Sequence, residues 1–205
     1  MQRNGTNDVR SWGRAARALH WAMALLIAVE VPAGFVMSRT YAQPGTAATW
    51  HYWASNAHHS AGLSLLALAL ARVIVRLVAP HPAPIGSKAK QGVARSSHRL
   101  MYLLLLLIPL TGWAAVSSLQ ASAQFPNPLW VFGIDGFGPG GLVPHIVPPV
   151  PWDSASPWRY ATFATGHRWL LIAGGALLAL HVAAALWHHF HLRDQTLRRM
   201  LKDAA

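Results

Sequence analysis

The 205-residue chain contains no cysteine, and its 6 Asp and Glu residues stand against 17 Lys and Arg. Each scarcity excludes something. Without cysteine there is no disulfide framework, no thiolate zinc site, no iron–sulfur cluster and no covalently attached c-type haem. Any metal chemistry must therefore rest on the 12 histidines. With so few acids, a carboxylate-bridged di-metal site lacks donors. Charged residues are also scarce, at 11%, where a soluble domain carries roughly a quarter. Hydrophobic residues make up 53% of the chain and lie in long runs separated by short basic stretches, the pattern of a polytopic membrane protein.

Four runs, near 16–37, 50–78, 98–119 and 158–190, are long enough to cross ~30 Å of hydrocarbon at ~1.5 Å per helical residue. They predict an all-α fold, a transmembrane four-helix bundle forming one domain over 1–205. The first run follows a polar stretch with Arg3, Arg10, Arg14 and Arg17 and precedes no small-residue cleavage pattern, so it reads as a retained span. Those arginines, the group Arg72, Arg76, Lys88, Lys90, Arg95 and Arg99, and the tail cations Arg193, Arg198, Arg199 and Lys202 all fall on one side of the bundle. By the positive-inside rule that side is cytoplasmic, and an even number of spans places both termini there. Only Arg39, Arg159 and Arg168 remain for the outer side. The basic excess thus reads as topology, with the lipid bilayer as partner and no nucleic acid expected. Trp50, Trp53, Trp152 and Trp158 fall at the outer interface and Trp12 and Trp187 near the inner one.

The stretch from Gln120 to Pro157 is rich in Pro and Gly, in FPNPLW, GIDGFGPGG and VPHIVPPVPW. It is expected to lack regular structure. With Trp130, Phe132, Phe137 and Trp152 in it, the loop is expected to lie over the outer mouth of the bundle.

Polar residues at membrane depth are costly, and function is the default reading of them. Here they are mainly histidines: His20 in span one, His58 and His59 in span two, His98 at the start of span three, and His167 and His181 in span four. The last two are 14 residues apart, ~21 Å along a helix and within ~40° of the same face. One helix thereby offers one ligand to each of two stacked sites. Gly174 and Gly175 lie midway and thin the helix where a flat macrocycle would need clearance; Gly62 and Ala24 follow His58 and His20 one turn on, although small residues also serve ordinary packing. Span direction fixes depth, which matches His20 with His181 and His58 with His167. Paired histidines without cysteine or carboxylate neighbours suit six-coordinate b-type haem better than zinc or di-iron. A single intramembrane histidine is more often a hydrogen-bonded packing residue; two depth-matched pairs favour ligation. Glu30, the one carboxylate inside a span, is read as a hydrogen-bond partner of a neighbouring helix in preference to a proton carrier. Pro32 and Pro109 are expected to kink their helices.

Four pieces in order, LHWAM at 19–23, HHSAGL at 58–63 with LALARVIVRL at 68–77, HRLMYLLLLLIPLTGW at 98–113 and HVAAALWHHFHLRDQTLRRML at 181–201, resemble the bacterial cytochrome b561 family. They cover nearly all the chain except the outer loop, which is longer than in the family's smallest members. The resemblance implies a multi-pass protein of the bacterial cytoplasmic (inner) membrane with two haem b groups. It selects His58 over His59, because the family histidine stands four residues before a glycine, here Gly62, and it makes His20, His58, His167 and His181 the axial ligands. His98 matches a family histidine that is not taken as a ligand and suits a haem propionate or a quinone; it is also the rival of His20 for His181. His188, with His98, Arg99, His189 and Asp194, offers donors and a proton route for quinone at the inner end.

The activity the resemblance implies is electron transfer between an outer donor, superoxide, and membrane ubiquinone. Arg168 beside His167, with Arg159 and Arg39, forms a positive funnel for such an anion, or else anchors propionates or lipid headgroups. The alternative is a cytochrome b anchor that takes electrons from a protein partner, a hydrogenase or dehydrogenase, with the long loop as its docking surface. A third reading is a haem-free bundle serving as a channel or scaffold.

Overall fold

The computed structural model describes residues 11–83, 85–122, 129–138 and 141–201. The cations Arg3, Arg10 and Lys202 and part of the Pro/Gly-rich loop lie outside them. Four long helices dominate: α1 (Arg14–Thr40), α2 (Thr46–Val78), α3 (Lys88–Ser117) and α4 (Tyr160–Phe190), with a short hairpin of β1 (Trp130–Val131) and β2 (Ile134–Asp135) and a terminal turn, α5 (Arg198–Leu201). All four long helices carry apolar windows sufficient to cross a membrane, with mean hydropathy from 1.7 to 2.1.

The first two expected spans fall inside α1 and α2, the fourth starts two residues before α4, and α2 and α4 end where the apolar runs end. The third differs. Its helix begins ten residues before the expected 98, at Lys88, because the polar turn KAKQGVARSS continues the helix beyond its apolar part. Ser87 caps it, its Oγ accepting from the Lys90 N–H at 3.5 Å. Both α1 and α3 run on through Pro32 and Pro109.

α1 packs along α2, α2 along α3, and α3 along α4. Met23, Leu65 and Ala69 form the buried centre, with Leu26, Ile27, Leu68, Leu105 and Leu106 against it. α4 contains no buried residue. Its apolar surface, like exposed Leu25, Val29 and Ile74, suits a hydrocarbon solvent. The first and last described segments lie at one end of the bundle. The Trp12 N–H donates to the Arg199 carbonyl at 3.2 Å, and the Trp21 indole N–H donates to Met200 at 2.9 Å.

At the other end the long loop is more ordered than expected. β1 and β2 pair antiparallel, Trp130 opposite Asp135 and Val131 opposite Ile134. The two turn residues between them, Phe132 and Gly133, both have positive φ, 50° and 82°, as a tight hairpin of this hand requires. Phe132 tolerates that conformation because its N–H donates to Ser60 Oγ at 2.8 Å, while the Gly133 N–H donates to Asn56 Oδ1 at 3.1 Å. Polar side chains of α2 thus replace the strand partners that composition alone does not reveal. A second clamp sits on α3. The fully buried Ser117 Oγ accepts from the N–H groups of Ile146 and Val147 at 2.7 and 3.2 Å, and the His145 Nδ1 donates to the Ser117 carbonyl at 2.7 Å.

Ser117→Ala takes the acceptor from those two part-buried backbone donors, at a cost of about 1 kcal/mol. The expected result is a lower Tm in detergent and faster proteolysis within 141–157.

Candidate functional site

The bundle brings intramembrane histidines together at two levels. At the loop end, His58 of α2 and His167 of α4 face each other with ring centroids 6.2 Å apart and planes at 89°. Their seats are alike. The His58 Nδ1 lies 3.3 Å from the Glu30 carbonyl oxygen and 3.1 Å from Glu30 Oε1, both on α1. The His167 Nδ1 lies 2.8 Å from the Ile108 carbonyl oxygen on α3, with Thr111 Oγ1 at 3.4 Å. A carbonyl oxygen only accepts, so each Nδ1 carries the hydrogen and each Nε2 keeps its lone pair. This is the arrangement a metal-bound imidazole needs.

Glycine makes each seat. One turn past Glu30 is Gly34, where a Cβ would stand 2.9 Å from the His58 ring; one turn past Ile108 is Gly112, where it would stand 3.2 Å from the His167 ring. A carbonyl at position i and a glycine at i+4 thus accept the imidazole of the neighbouring helix. Gly34, Gly112 and Thr111 were not singled out from sequence; the signal available was a glycine close after a proline within an apolar run, in VPAG and PLTG.

His59 points elsewhere: its Nδ1 donates to the Trp130 carbonyl of the hairpin at 3.3 Å. Glu30 is placed as the sequence suggested, against a neighbouring helix, and its target is His58. The glycines expected to clear a macrocycle differ. A Cβ on Gly174 would meet Ile108 Cδ1 at 2.9 Å, so Gly174 serves close packing of α4 on α3, and Gly62 faces Glu30 Oε1 at 3.1 Å. Gly175 has nothing within 4 Å.

At the terminal end three histidines meet. The His181 ring of α4 lies 6.3 Å from His20 of α1 and 5.7 Å from His98 of α3. The His98 Nδ1 donates to its own helix, to the Ala94 carbonyl at 2.6 Å. Arg72 of α2 stands close by, its Nη1 donating to the Ala16 carbonyl at 2.8 Å.

Of the other expected site residues, Arg159 caps α4 and its Nη1 donates to the Ser154 carbonyl at 3.2 Å. Arg168 is exposed beside His167, and Arg39 lies over the Phe35 ring. His188 bonds through Nδ1 to Asp194 Oδ2, and the Thr196 N–H donates to Asp194 Oδ1 at 2.8 Å. Burial alone would raise the Asp194 carboxyl; the hydrogen bonds from His188 and Thr196 outweigh it and hold the carboxyl below its ordinary range.

The donor set fits haem b. Two metal–imidazole bonds of about 2 Å, with about 1 Å more from each nitrogen to its ring centre, place trans imidazole centroids roughly 6 Å apart. The His58–His167 and His20–His181 separations match. Among the described residues no group of three or more His, Asp or Glu converges as a metal site. Pairs suffice where a macrocycle supplies the other four ligands.

A membrane-crossing bundle with histidines paired at two depths defines the class of b-type membrane cytochromes. The family model described as prokaryotic cytochrome b561 matches residues 11–203, and the chain belongs to that family. It is 30% identical to cytochrome b561 homolog 2 of Escherichia coli (strain K12), over 96% of this chain and 94% of that one. It is 28% identical to the probable superoxide oxidase CybB of Yersinia pestis, over 89% and 91% of the two chains. A third relative is cytochrome b562 of Cereibacter sphaeroides, 28% identical over 90% of each. The chain is therefore an electron-transfer protein of the inner membrane, crossing it several times, in a family that carries haem b.

Gly34→Ala drives a methyl into the His58 ring and is expected to lower haem content, while Gly92→Ala, in open space on the polar start of α3, leaves it unchanged. A pyridine haemochrome assay reads both. Because the Asp194 carboxyl is depressed, its hold on the tail persists at and above the ordinary carboxylate range and is lost as pH falls through the depressed value. Hydrogen exchange at 195–201 should accelerate there, and in Asp194→Asn at neutral pH.

Proposed function

We propose that the protein holds two b-type haems, one between His58 and His167 and one between His20 and His181, and passes electrons from superoxide at the loop end to ubiquinone at the terminal end. The observation that carries this reading is the recurrence of one ring separation at two levels of the bundle, 6.2 and 6.3 Å. Haem b bound through two imidazoles supplies a one-electron carrier with no open iron position for oxygen.

The residues divide the work. The seats on α1 and α3 hold the His58 and His167 rings in the tautomer that leaves Nε2 free, so little reorganisation is left for cofactor binding. His59 ties the hairpin down over this level, restricting water from the loop side. The cation distribution supports the loop end as the outer face and both termini as cytoplasmic. Exposed Arg39, Arg159 and Arg168 then give the outer face a field attractive to a small anion. Asp135, whose charge opposes that field, accepts from the Phe137 and Gly138 N–H groups of its own loop. The relative named as a probable superoxide oxidase supports the same donor.

At the terminal end, His98 is exposed on the flank of α3 and touches His181. It serves a quinone arriving from the hydrocarbon as hydrogen-bond partner, with His188 and Asp194 nearer the water as the proton route. The chemistry balances with two superoxide ions giving up one electron each and leaving as dioxygen, while one quinone takes two electrons and two protons.

Reduced-minus-oxidised spectra and haem content of the detergent-purified protein test the ligands. His58→Ala and His20→Ala are each expected to lose one of two haems, and His59→Ala and His98→Ala to keep both. Loss with His98→Ala and not with His20→Ala overturns the terminal-end assignment. The donor is tested by superoxide-dependent reduction of ubiquinone in proteoliposomes. No reduction, with a stoichiometric dehydrogenase or hydrogenase co-purifying, would establish the anchor reading in its place.

A further inference from the structure

A cavity of about 160 Å³ opens at the terminal end, between the start of α1, the end of α2 and α3. It is several times the ~30 Å³ share of a water molecule. Three of its lining side chains are Arg14, Arg72 and Arg76, and none of the described residues lining it is acidic. Three guanidinium groups with no carboxylate among the described lining make a strongly positive site.

The arrangement of those cations is specific. Arg72 is fixed by its bond to the Ala16 carbonyl and stands 5.9 Å from the Tyr102 ring centre. Arg76 lies over the Trp12 indole, 4.9 Å from its centre, and His81 stacks on the same indole at 6.0 Å. The Arg76 Nη1 is buried and has no hydrogen-bond partner among the described residues. A charged donor nitrogen shut off from water without a hydrogen bond is costly, so an anionic oxygen reaching this guanidinium is favoured. The first turn of α1 lies on the same wall and has no side-chain cap among the described residues, and its N-terminal dipole adds to the positive field there.

Position decides the anion. The cavity lies where the apolar parts of α1 and α2 give way to polar chain, and Trp12 marks interfacial depth. We infer that it binds the phosphodiester of an anionic phospholipid, with Arg76 and Arg14 as charged contacts, Trp12 as the interfacial wall, and the acyl chains left in the hydrocarbon. Guanidinium groups match phosphate geometry through paired N–H donors, and basic pockets between helices on the cytoplasmic side have the chemistry to hold such headgroups. The inference is independent of the superoxide assignment and of which histidines hold haem.

The test is native mass spectrometry of the haem-loaded protein in mild detergent with added phosphatidylglycerol or, separately, phosphatidylcholine. One phosphatidylglycerol is expected to be retained, at least tenfold in preference to phosphatidylcholine. Arg76→Gln and Arg14→Gln should each lower retention at least fivefold with haem content unchanged, whereas Arg95→Gln, a cation outside the cavity bonded to Gln91, should not. Equal retention of the two lipids, or no effect of Arg76→Gln and Arg14→Gln, overturns the inference. Haem loss in both variants with lipid retention unchanged also overturns it, and assigns the arginines to a haem propionate. Should Arg76→Gln alone fail to load haem, exposed Arg14 carries the same comparison.

Discussion

The seating of an imidazole against the backbone of a neighbouring helix is the constraint on which the loop-end site depends. In hydrocarbon a histidine N–H must find an acceptor, and helix carbonyls are already engaged along the ladder. The His58 and His167 rings reach carbonyls of α1 and α3 because glycine stands one turn later and leaves room for the ring. Small residues let helices approach closely in membranes; here they let a side chain reach the main chain. The two seats use different residues, Glu30 with Gly34 and Ile108 with Gly112, and yet share one geometry.

This explains why α4 buries none of its own residues while carrying two of the central histidines. α1, α2 and α3 make the compact part of the bundle, and α4 leans mainly on α3, through Gly174 and Ile108 among others. Its remaining apolar surface is available to lipid on one side and to a flat cofactor on the other. The order of packing, each helix on the next in sequence, keeps most contacts local. The histidine pairs then join α4 to the far side of the bundle at two depths.

Much of this was legible in the chain. Apolar runs located four helices, since hydrocarbon thickness imposes a length that composition reveals. The 14-residue interval between His167 and His181 foretold two levels, because helical rise converts spacing into depth. What escaped has a common cause: it depended on atoms from segments distant in sequence. The hairpin at Trp130 is held by Asn56, Ser60 and His59 of α2, so its own Pro and Gly content read as irregular loop. Gly174 appeared free for a cofactor because nothing local identified Ile108 as its neighbour. Helix α3 outran its apolar signal because a capped polar turn needs no hydrocarbon to remain helical.

The pairing of the start of α1 with the segment after α4 has a consequence for how the molecule comes into being. Trp12 and Trp21 bond to Arg199 and Met200, which are made only after all four long helices. The first helix enters the membrane with those donors unmet and keeps them so while some 180 further residues are made. A ribosome-bound chain can assemble α1 through α3 and still lack its closing contacts. Completion of the bundle thus waits until residues 199 and 200 have been made, and a chain ending before them would leave the first helix without its final partner.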